Sequence, residues 1–283
     1  MGRSRTATSL ARVHRDEAGP ARGPEELLVE EPLEIRLGDT LVATTMRTPG
    51  HDYELAAGWC HAEGVLRGPS GAPVGVAGIR YCATGSAVDT GFNVVTVQPD
   101  GPVAEPAARL GTTTSSCGIC GADAIDTLTE RLAPLRVPAG FRVAADVLDA
   151  LGARVAEHQE LFAATGGSHA AAACTRDGEV LVVREDIGRH NAVDKVVGRL
   201  LLDGALPAEG LVLWVSGRAS FEMVQKAWAA GFTALVSVSA VSSLAVSTAR
   251  RAGLVLCGFA RGDRVTVYAG EDHVAGRDGE PVP

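Results

Sequence analysis

The stretch LVLWVSGRASFEMVQKAWAAGFTALVSV, residues 211–238, decides the fold class. Its apolar runs at 211–215 and 234–238 predict two buried strands, and the periodic apolar residues between them predict a helix at 220–230. Strands that alternate with helices predict an α/β fold with a largely parallel sheet and helices packed on its faces. The same pattern continues on both sides in a helix at 145–162, strands at 170–174 and 180–183, helices at 192–202 and 243–252, and strands at 254–259 and 265–269.

Three loops follow strands of the predicted sheet and form a candidate binding rim. Ligands of open α/β sheets bind beyond the carboxyl ends of the strands. The loops 216–220 and 239–243 lead into helix N-termini and carry small hydroxyl residues, which suits phosphate binding. Arginines in the first loop and in the third, 259–264, supply guanidinium groups that match phosphate oxygens. Any one such loop is more often an ordinary turn, but three on one rim favour a phosphate-bearing ligand.

Histidine and arginine side chains elsewhere supply further candidates for the same rim. His169 opens the strand predicted at 170–174, and Arg189 and His190 precede the helix predicted at 192–202. A lone histidine is more often a structural hydrogen-bonding residue, so these candidates rank below the loops. The full set of predicted binding residues is Ser216, Gly217, Arg218, Ser239, Phe259, Ala260, Arg261, Gly262, Asp263, Arg264, His169 and Arg189.

The N-terminal half predicts a smaller α+β part. A hairpin is predicted over 27–46, followed by a helix at 52–66 and strands at 79–82 and 92–98. Residues 1–24 contain five arginines and no hydrophobic block, which predicts a disordered arm. The predicted division is an arm at 1–24, an α+β part that carries the CxxC loop at 25–138, an α/β domain at 139–275 and a tail at 276–283.

Residues 112–121, TTTSSCGICG, place two thiols at CxxC spacing after five hydroxyl residues. Apolar residues at three- and four-residue steps predict a helix directly after them: Ile125, Leu128, Leu132 and Leu135. Ser115 or Ser116 is a suitable N-cap, so Cys117 and Cys120 are predicted in or just before the first turn. Unpaired N–H groups and the helix dipole favour an anion there, so a thiol ionises more readily. The sequence therefore predicts the chemistry at this segment.

The CxxC pair allows three interpretations. A zinc site normally needs four ligands, and the sequence has no second CxxC or HxxxH pair. A thioredoxin-like redox pair would follow a βαβ pattern, whereas a long polar segment precedes this one. A reactive, persulfide-type cysteine is favoured over either. His61-Ala62-Glu63 upstream of CxxC matches part of the zinc deaminase signature, but Ser116 stands where that signature has proline.

Composition and charge limit the function classes. The chain has 283 residues, 46% of them apolar, without an apolar run long enough to span a membrane. Six cysteines without a secretory signal predict a reducing cytoplasm rather than a disulfide framework, and Cys60 and Cys82 are predicted to be core residues. The net charge of −8 argues against general nucleic-acid binding. Any anion site must therefore be local.

Several motifs together resemble one known family, the formate dehydrogenase accessory sulfurtransferases (the FdhD family). The resemblance covers about residues 27–269, and the joint pattern is highly specific. It implies a cytidine-deaminase-like α/β domain with a mixed or parallel sheet, a smaller N-terminal part and a homodimer. The motifs, in order, are Ser115–Gly121, Gly166–His169, Asp186–Lys195, Ser216–Arg218, Glu222–Ala227 and Gly258–Arg261.

The resemblance implies a function in sulfur delivery. Such proteins accept sulfur from a cysteine desulfurase as a cysteine persulfide. They pass it to the molybdenum or tungsten bis(molybdopterin guanine dinucleotide) cofactor before its insertion into formate dehydrogenase. By the same resemblance, Cys117 would carry the persulfide, Cys120 would assist, and residues 259–264 would match the cofactor-binding segment. The deaminase zinc is not expected, because family members do not place His-x-Glu at 61–63.

One loop departs from the family pattern. The family typically has Ser-Ala-Pro-Thr where this chain has Ser239-Ala240-Val241-Ser242, and the loss of proline removes a fixed φ angle from that loop. A second hypothesis from another class is also open. The protein could be a cofactor-binding chaperone whose cysteines are a redox switch or a zinc-binding clasp. A persulfide on Cys117 distinguishes the two.

Overall fold

The apolar runs form strands of four sheets in a computed structural model that describes residues 4–15, 19–82, 86–104 and 132–276. In chain order the described elements are β1 (Thr6–Arg15), β2 (Gly19–Leu28), β3 (Glu31–Leu37), β4 (Thr40–Arg47), α1 (Asp52–Ala62), β5 (Val76–Tyr81), β6 (Val94–Pro99), β7 (Val143–Ala144), α2 (Ala145–Ala156), α3 (Glu160–Thr165), β8 (His169–Thr175), β9 (Val180–Asp186), α4 (Arg189–Leu202), β10 (Leu211–Val215), α5 (Phe221–Ala230), β11 (Ala234–Ser237), α6 (Ser243–Ala252), β12 (Val255–Arg261), β13 (Arg264–Ala269), a 3-10 helix (Glu271–His273) and β14 (Val274–Ala275). No helix among these is long and apolar enough to cross a membrane.

The largest sheet is mixed, with the strand order β13-β12-β11-β10-β8-β9. The pairs β10–β11 and β11–β12 are parallel, as the alternation of strands and helices predicts. The other three pairs are antiparallel, so the prediction of a largely parallel sheet was wrong. Tight turns join β8 to β9 and β12 to β13, and such short connections can only reverse the chain. The α/β class itself is confirmed.

Helices cover both faces of this sheet. Leu213 and Val215 of β10 pack in a cluster with α4, α5 and α6, whereas Val212 and Trp214 pack in a second cluster with α2. The helix predicted at 145–162 is two helices, because the chain turns between α2 and α3. This break leaves the Phe162 side chain 49% exposed, although the periodicity predicted it on the core face.

The N-terminal part is a four-stranded sheet, β4-β3-β6-β5, with α1 packed against it. The predicted hairpin and strands of this part are present. Helix α1 ends at Ala62, four residues before the predicted end. Cys60 and Cys82 are buried, as predicted.

Residues 6–15 and 19–28 form the antiparallel strand pair β1–β2, so the prediction of a disordered arm at 1–24 was wrong for these residues. Its base is fixed to the rest of the chain. The Val29 N–H donates to the Arg5 carbonyl, and the Arg5 guanidinium lies 3.3 Å from the Glu160 carboxylate of α3. These contacts join different parts of the chain, so composition alone did not reveal them.

Helices α1 and α4 join the two parts by an unusually close contact at two glycines. A Cβ atom on Gly58 would lie 1.9 Å from the Asp194 carbonyl oxygen, and one on Gly198 would lie 1.8 Å from the Glu54 carbonyl oxygen. No side chain fits at such distances. The helix backbones therefore touch, and both glycines are required by packing.

Buried ion pairs reinforce the same junction. Arg47, at the end of β4, is fully buried and donates two hydrogen bonds of 3.0 Å to the Asp52 carboxylate. Asp186 accepts from the Thr48 N–H, and its carboxylate lies 2.7 Å from the Lys195 ammonium. The charge-dense sequence before α4 thus serves mainly to join β9 and α4 to the N-terminal sheet. A buried pair that loses one partner typically costs about 3–5 kcal/mol.

Glu54 gives this junction a dependence on pH. Burial acts to raise the pKa of Glu54, but hydrogen bonds from Arg184 and His51 and the charge of Arg184 outweigh it and lower the pKa to about 2. Because the folded pKa lies below the unfolded value, the stabilisation is complete above the unfolded pKa and is lost as pH falls toward the folded pKa. The contribution is on the order of 3 kcal/mol.

We expect the free energy of unfolding to fall between pH 5 and pH 3, and Glu54→Gln to remove much of that fall. Urea denaturation at several pH values measures it. Glu209→Gln is the control, because Glu209 is exposed and lies outside this junction. Equal pH dependence in the wild type and in Glu54→Gln would contradict the assignment.

Candidate functional site

A cavity of about 760 Å³ opens at the edge of the six-stranded sheet where the three parallel strands end. Ser216 follows β10, Val238 follows β11, and Arg261 ends β12. His169 reaches the same edge because β8 runs antiparallel to β10. Helices α2 and α3 close the other side. The lining residues are Asp149, Ala150, Gly152, Ala153, Gln159, Phe162, Gly166, Gly167, Ser168, His169, Trp214, Ser216, Val238, Ala260, Arg261 and Gly262.

The structure brings seven of the predicted binding residues to this cavity. Five of them line it: His169, Ser216, Ala260, Arg261 and Gly262. Two more adjoin it, since a Cβ atom on Gly217 would lie 3.4 Å from Arg189 Cδ and 3.6 Å from His169 Nδ1. The rule that ligands bind at the carboxyl ends of parallel strands thus located the cavity from sequence.

Five other predicted binding residues do not line the cavity: Arg218, Ser239, Phe259, Asp263 and Arg264. Arg218 is exposed, and the Ser239 carbonyl accepts a hydrogen bond from the Phe259 N–H. The Arg264 guanidinium lies over the Phe259 ring, 4.8 Å from its centroid. Their part in binding stays a prediction.

His169 and Ser216 form a polar pair in the cavity wall. Ser216 Oγ accepts a hydrogen bond from the Ala170 N–H at 3.0 Å and lies 3.3 Å from His169 Nδ1. Burial, followed by the positive charges of Arg189 and His190, lowers the pKa of His169. A neutral imidazole near pH 7 can donate one hydrogen bond and accept another, so this pair suits a polar ligand group.

Arg189 and His190 begin α4 but have different surroundings. Arg189 Nε is buried and has no hydrogen-bond partner in the described part of the chain. His190 Nε2 lies 2.6 Å from Glu222 Oε2, and burial lowers the pKa of His190 although Glu222 acts to raise it. Arg189 is therefore suited to meet an anion beside His169, whereas His190 is occupied by a structural partner.

Glu185 shapes the α3 side of the cavity. One of its carboxylate oxygens accepts from the Leu161 N–H, and the other accepts from the Phe162 N–H and the Ser168 hydroxyl, at 2.7 to 2.8 Å. It therefore fixes the first turn of α3 and the loop that ends in Ser168. This role could not be predicted from sequence, because a glutamate near the end of a strand gives no signal of what it will contact across the fold.

Asp149 of α2 holds the turn between β12 and β13. Its Oδ2 accepts a hydrogen bond from the Asp263 N–H at 3.1 Å. Asp149 Oδ1 and Trp214 Nε1, from two lining residues, are buried and have no partner among the described residues. Neither residue was predicted, since α2 shows only an apolar period in sequence and Trp214 reads as an ordinary strand residue.

Cys117 and Cys120 lie outside the described residues, as does most of the helix predicted after them. Leu132 and Leu135 are described and pack against the cluster that contains α5 and α6. The cysteines that the structure does describe are buried, and burial raises the pKa of Cys174 to about 12. A thiol with a pKa raised this far is a poor nucleophile at neutral pH.

His61 makes a structural hydrogen bond. Its Nε2 lies 2.9 Å from the Ala229 carbonyl oxygen, at the end of α5. Within residues 4–15, 19–82, 86–104 and 132–276, no group of three or more His, Cys, Asp or Glu side chains is arranged to hold a metal ion.

Comparison with known sequences identifies the family. A model of the FdhD/NarQ family matches residues 28–275, which is most of the chain. The chain belongs to the FdhD/NarQ family. Among its FdhD relatives, "Sulfur carrier protein FdhD" of Streptomyces coelicolor is 48% identical over 281 residues, which cover 97% of each chain. The protein of the same name from Mycobacterium tuberculosis is 46% identical over 260 residues, 89% of this chain and 92% of the relative.

A solved structure shares the fold. It is a crystal structure of a candidate formate dehydrogenase accessory protein from Desulfotalea psychrophila, with a TM-score of 0.72 and 22% sequence identity. The similarity covers 96% of this chain and 100% of that chain. The mixed α/β arrangement is thus that of an FdhD-type protein.

Proposed function

We propose that this protein is a sulfur carrier for formate dehydrogenase that delivers sulfur to the bis(molybdopterin guanine dinucleotide) cofactor before insertion. Membership of the FdhD/NarQ family and the name of its relatives support the sulfur-carrier role. The observation that carries the cofactor part is the cavity at the carboxyl ends of β10, β11 and β12, where candidates chosen from sequence for a phosphate-bearing ligand come together. The cofactor is cargo, with molybdenum or tungsten as its metal.

Sulfur enters as a persulfide on Cys117. The Cys117 thiolate attacks the terminal sulfur of a cysteine desulfurase persulfide, so that a new S–S bond forms on Cys117 and the desulfurase cysteine leaves as a thiolate. No net oxidation accompanies this exchange, because the sulfane sulfur keeps its oxidation state. The CxxC sequence, with its preceding hydroxyl residues, supports an ionised Cys117.

Sulfur leaves with the help of Cys120. The Cys120 thiolate attacks the inner sulfur of the Cys117 persulfide, which forms a Cys117–Cys120 disulfide and releases the terminal sulfur as hydrosulfide to the cofactor. The two thiols supply the two electrons that turn sulfane sulfur into sulfide. A dithiol reductant then resets the pair. This assigns Cys120 the assisting role that the family resemblance implies.

The chain length allows Cys117 to reach the cavity. Cys117 follows Ala104, the last described residue before it, by 13 positions. A segment of that length spans at most about 45 Å when extended. A chain of 283 residues has a radius of gyration of only about 19 Å. The extended segment is more than twice this radius, so its length supports delivery of the Cys117 sulfur to the cavity.

The cavity residues match the parts of a guanine dinucleotide. The volume of the cavity lies within the range of small-molecule sites, about 300–1,000 Å³. Arg261 lines it, so its guanidinium group can meet the diphosphate, and Arg189 packs beside Gly217 and adds positive charge near His169. The pair of His169 and Ser216 supplies neutral hydrogen-bonding groups.

The resemblance supports three further parts of the proposal. The domain at 139–275 is cytidine-deaminase-like, in keeping with a mixed sheet that has helices on both faces. The protein acts in the cytoplasm, and it works as a homodimer.

Arg261→Ala should weaken the binding of guanosine diphosphate by about 10-fold or more, because charge-assisted hydrogen bonds contribute about 1.5–3 kcal/mol each. Isothermal titration calorimetry measures the dissociation constant. Arg176→Ala is the matched control, since Arg176 is exposed just after the other end of β8 from His169. Unchanged affinity in Arg261→Ala would remove this arginine from the binding site.

A further inference from the structure

Phe162 has an exposed aromatic ring that lies in the wall of the cavity. The side chain is 49% exposed and lines the cavity. Most phenylalanine side chains are buried. Exposure of this apolar ring to water costs free energy, and packing within the protein does not account for the exposure. The neighbouring Leu161 is 5% exposed and anchors α3 to the core. The short helix thus places one apolar residue inward and the next toward the cavity.

The backbone at Phe162 is held by Glu185. The Phe162 N–H donates to Glu185 Oε1 at 2.8 Å, and the same oxygen accepts from the Ser168 hydroxyl at 2.7 Å. Glu185 is itself buried at 8% exposure. The backbone that carries Phe162 is therefore held against β9, and binding a ligand against the ring needs little reordering of the backbone.

Helix α2 contributes small residues to the same cavity. Ala150, Gly152 and Ala153 line it, and a Cβ atom on Gly152 would lie 3.9 Å from Cζ2 of Trp214. Small side chains leave room beside the Phe162 ring. Trp214 is 3% exposed, and its Nε1 has no hydrogen-bond partner among the described residues. An apolar recess lined by such small side chains suits a flat heterocycle.

The distribution of charge in the cavity favours an uncharged ligand group in that recess. Among the described residues that line the cavity, Arg261 carries the positive charge and Asp149 carries the negative charge. A diphosphate is attracted to Arg261. The α2 and α3 walls offer mainly alanine, glycine and aromatic surface, which gains more from a ring than from a phosphate.

We infer that Phe162 is a binding residue that stacks on a planar fused heterocycle of the cargo cofactor. The inference rests on the proposed function, because the cofactor there carries two such rings, guanine and pterin. Stacking of a base on an aromatic side chain is tolerant of ring type and needs only a free face. Phe162 thus sets affinity for the ring portion, whereas Arg261 serves the phosphates.

The test compares Phe162→Ala, Phe162→Leu and Phe162→Tyr with three probes: guanosine diphosphate, pyrophosphate and a free pterin. Phe162→Ala should weaken guanosine diphosphate or pterin binding by about 5- to 100-fold, the range found when a stacking side chain is truncated. Pyrophosphate binding should not change. Phe162→Tyr should retain affinity because it keeps the ring, and Phe162→Leu should lose most of it. The probe whose affinity falls in Phe162→Ala identifies which ring, guanine or pterin, stacks on Phe162.

Two outcomes would overturn the inference, and they differ. Wild-type binding of guanosine diphosphate or pterin with no loss in Phe162→Ala, or equal losses in Phe162→Tyr and Phe162→Ala, removes the stacking role and leaves the proposed function in place. Failure of the wild type to bind any of the probes overturns the proposed cofactor site and the inference with it. Because the side chain is half exposed, the variants should keep the wild-type melting temperature, which circular dichroism checks.

Discussion

Replacing Cys117 with alanine is expected to abolish the ability of this protein to support formate dehydrogenase. The proposed reaction holds the transferred sulfur on this thiol, and alanine offers no atom that can carry it. We expect enzyme activity to fall to the level of cells without the protein when the variant is the sole copy. The measurement is formate oxidation in extracts of a strain that lacks its own sulfur carrier and is complemented with each variant.

Two further variants make this test specific to the Cys117 thiol. Cys174→Ala makes the same chemical change at a buried thiol outside the CxxC segment and should complement. Cys120→Ala should retain the persulfide on Cys117 but release sulfide slowly, so activity should be reduced and partly restored by an added dithiol. Full activity in Cys117→Ala with wild-type protein levels would contradict the sulfur-carrier mechanism and favour a chaperone role.

Gly198→Ala should destabilise the fold by at least about 3 kcal/mol or prevent accumulation of soluble protein. The added methyl group would lie 1.8 Å from the Glu54 carbonyl oxygen, so α1 and α4 would have to separate. Separation would also disturb the buried ion pairs of Asp186 and Arg47 beside the helices. Inserting atoms into a well-packed core costs about 1–3 kcal/mol even where only side chains must move. Here the obstacle is backbone.

Urea denaturation monitored by tryptophan fluorescence measures this effect. Gly78→Ala is the control, because a Cβ atom there would meet nothing within 4 Å and the backbone has an ordinary φ angle. The control should keep the wild-type midpoint. A wild-type midpoint in Gly198→Ala would show that the two helices are not in backbone contact.

Local sequence patterns were sufficient for most elements and for the place of the cavity. The apolar runs at 211–215 and 234–238 became parallel strands, since a helix between two buried strands leaves few other arrangements. The loops after them and Arg261, at the end of the next strand, lie at one edge for the same topological reason. These features depend on residues close together in sequence.

The features that the sequence did not reveal depend on contacts between distant residues. Glu185 and Phe162 are 23 positions apart, and the hydrogen bond between them holds the first turn of α3 at the cavity. Asp149 meets the Asp263 N–H across 114 positions. The hairpin of β1 and β2 is fixed at its base by Glu160, so arginine-rich composition gave the wrong prediction of disorder. Such pairs have no period or spacing that a single sequence displays.

Intact-mass spectrometry of the protein after incubation with a cysteine desulfurase and cysteine tests the central claim most directly. We expect a mass gain of one sulfur atom in the wild type that is reversed by a thiol reductant and is absent in Cys117→Ala. No gain in the wild type, with the desulfurase shown to be active on cysteine, would contradict the account.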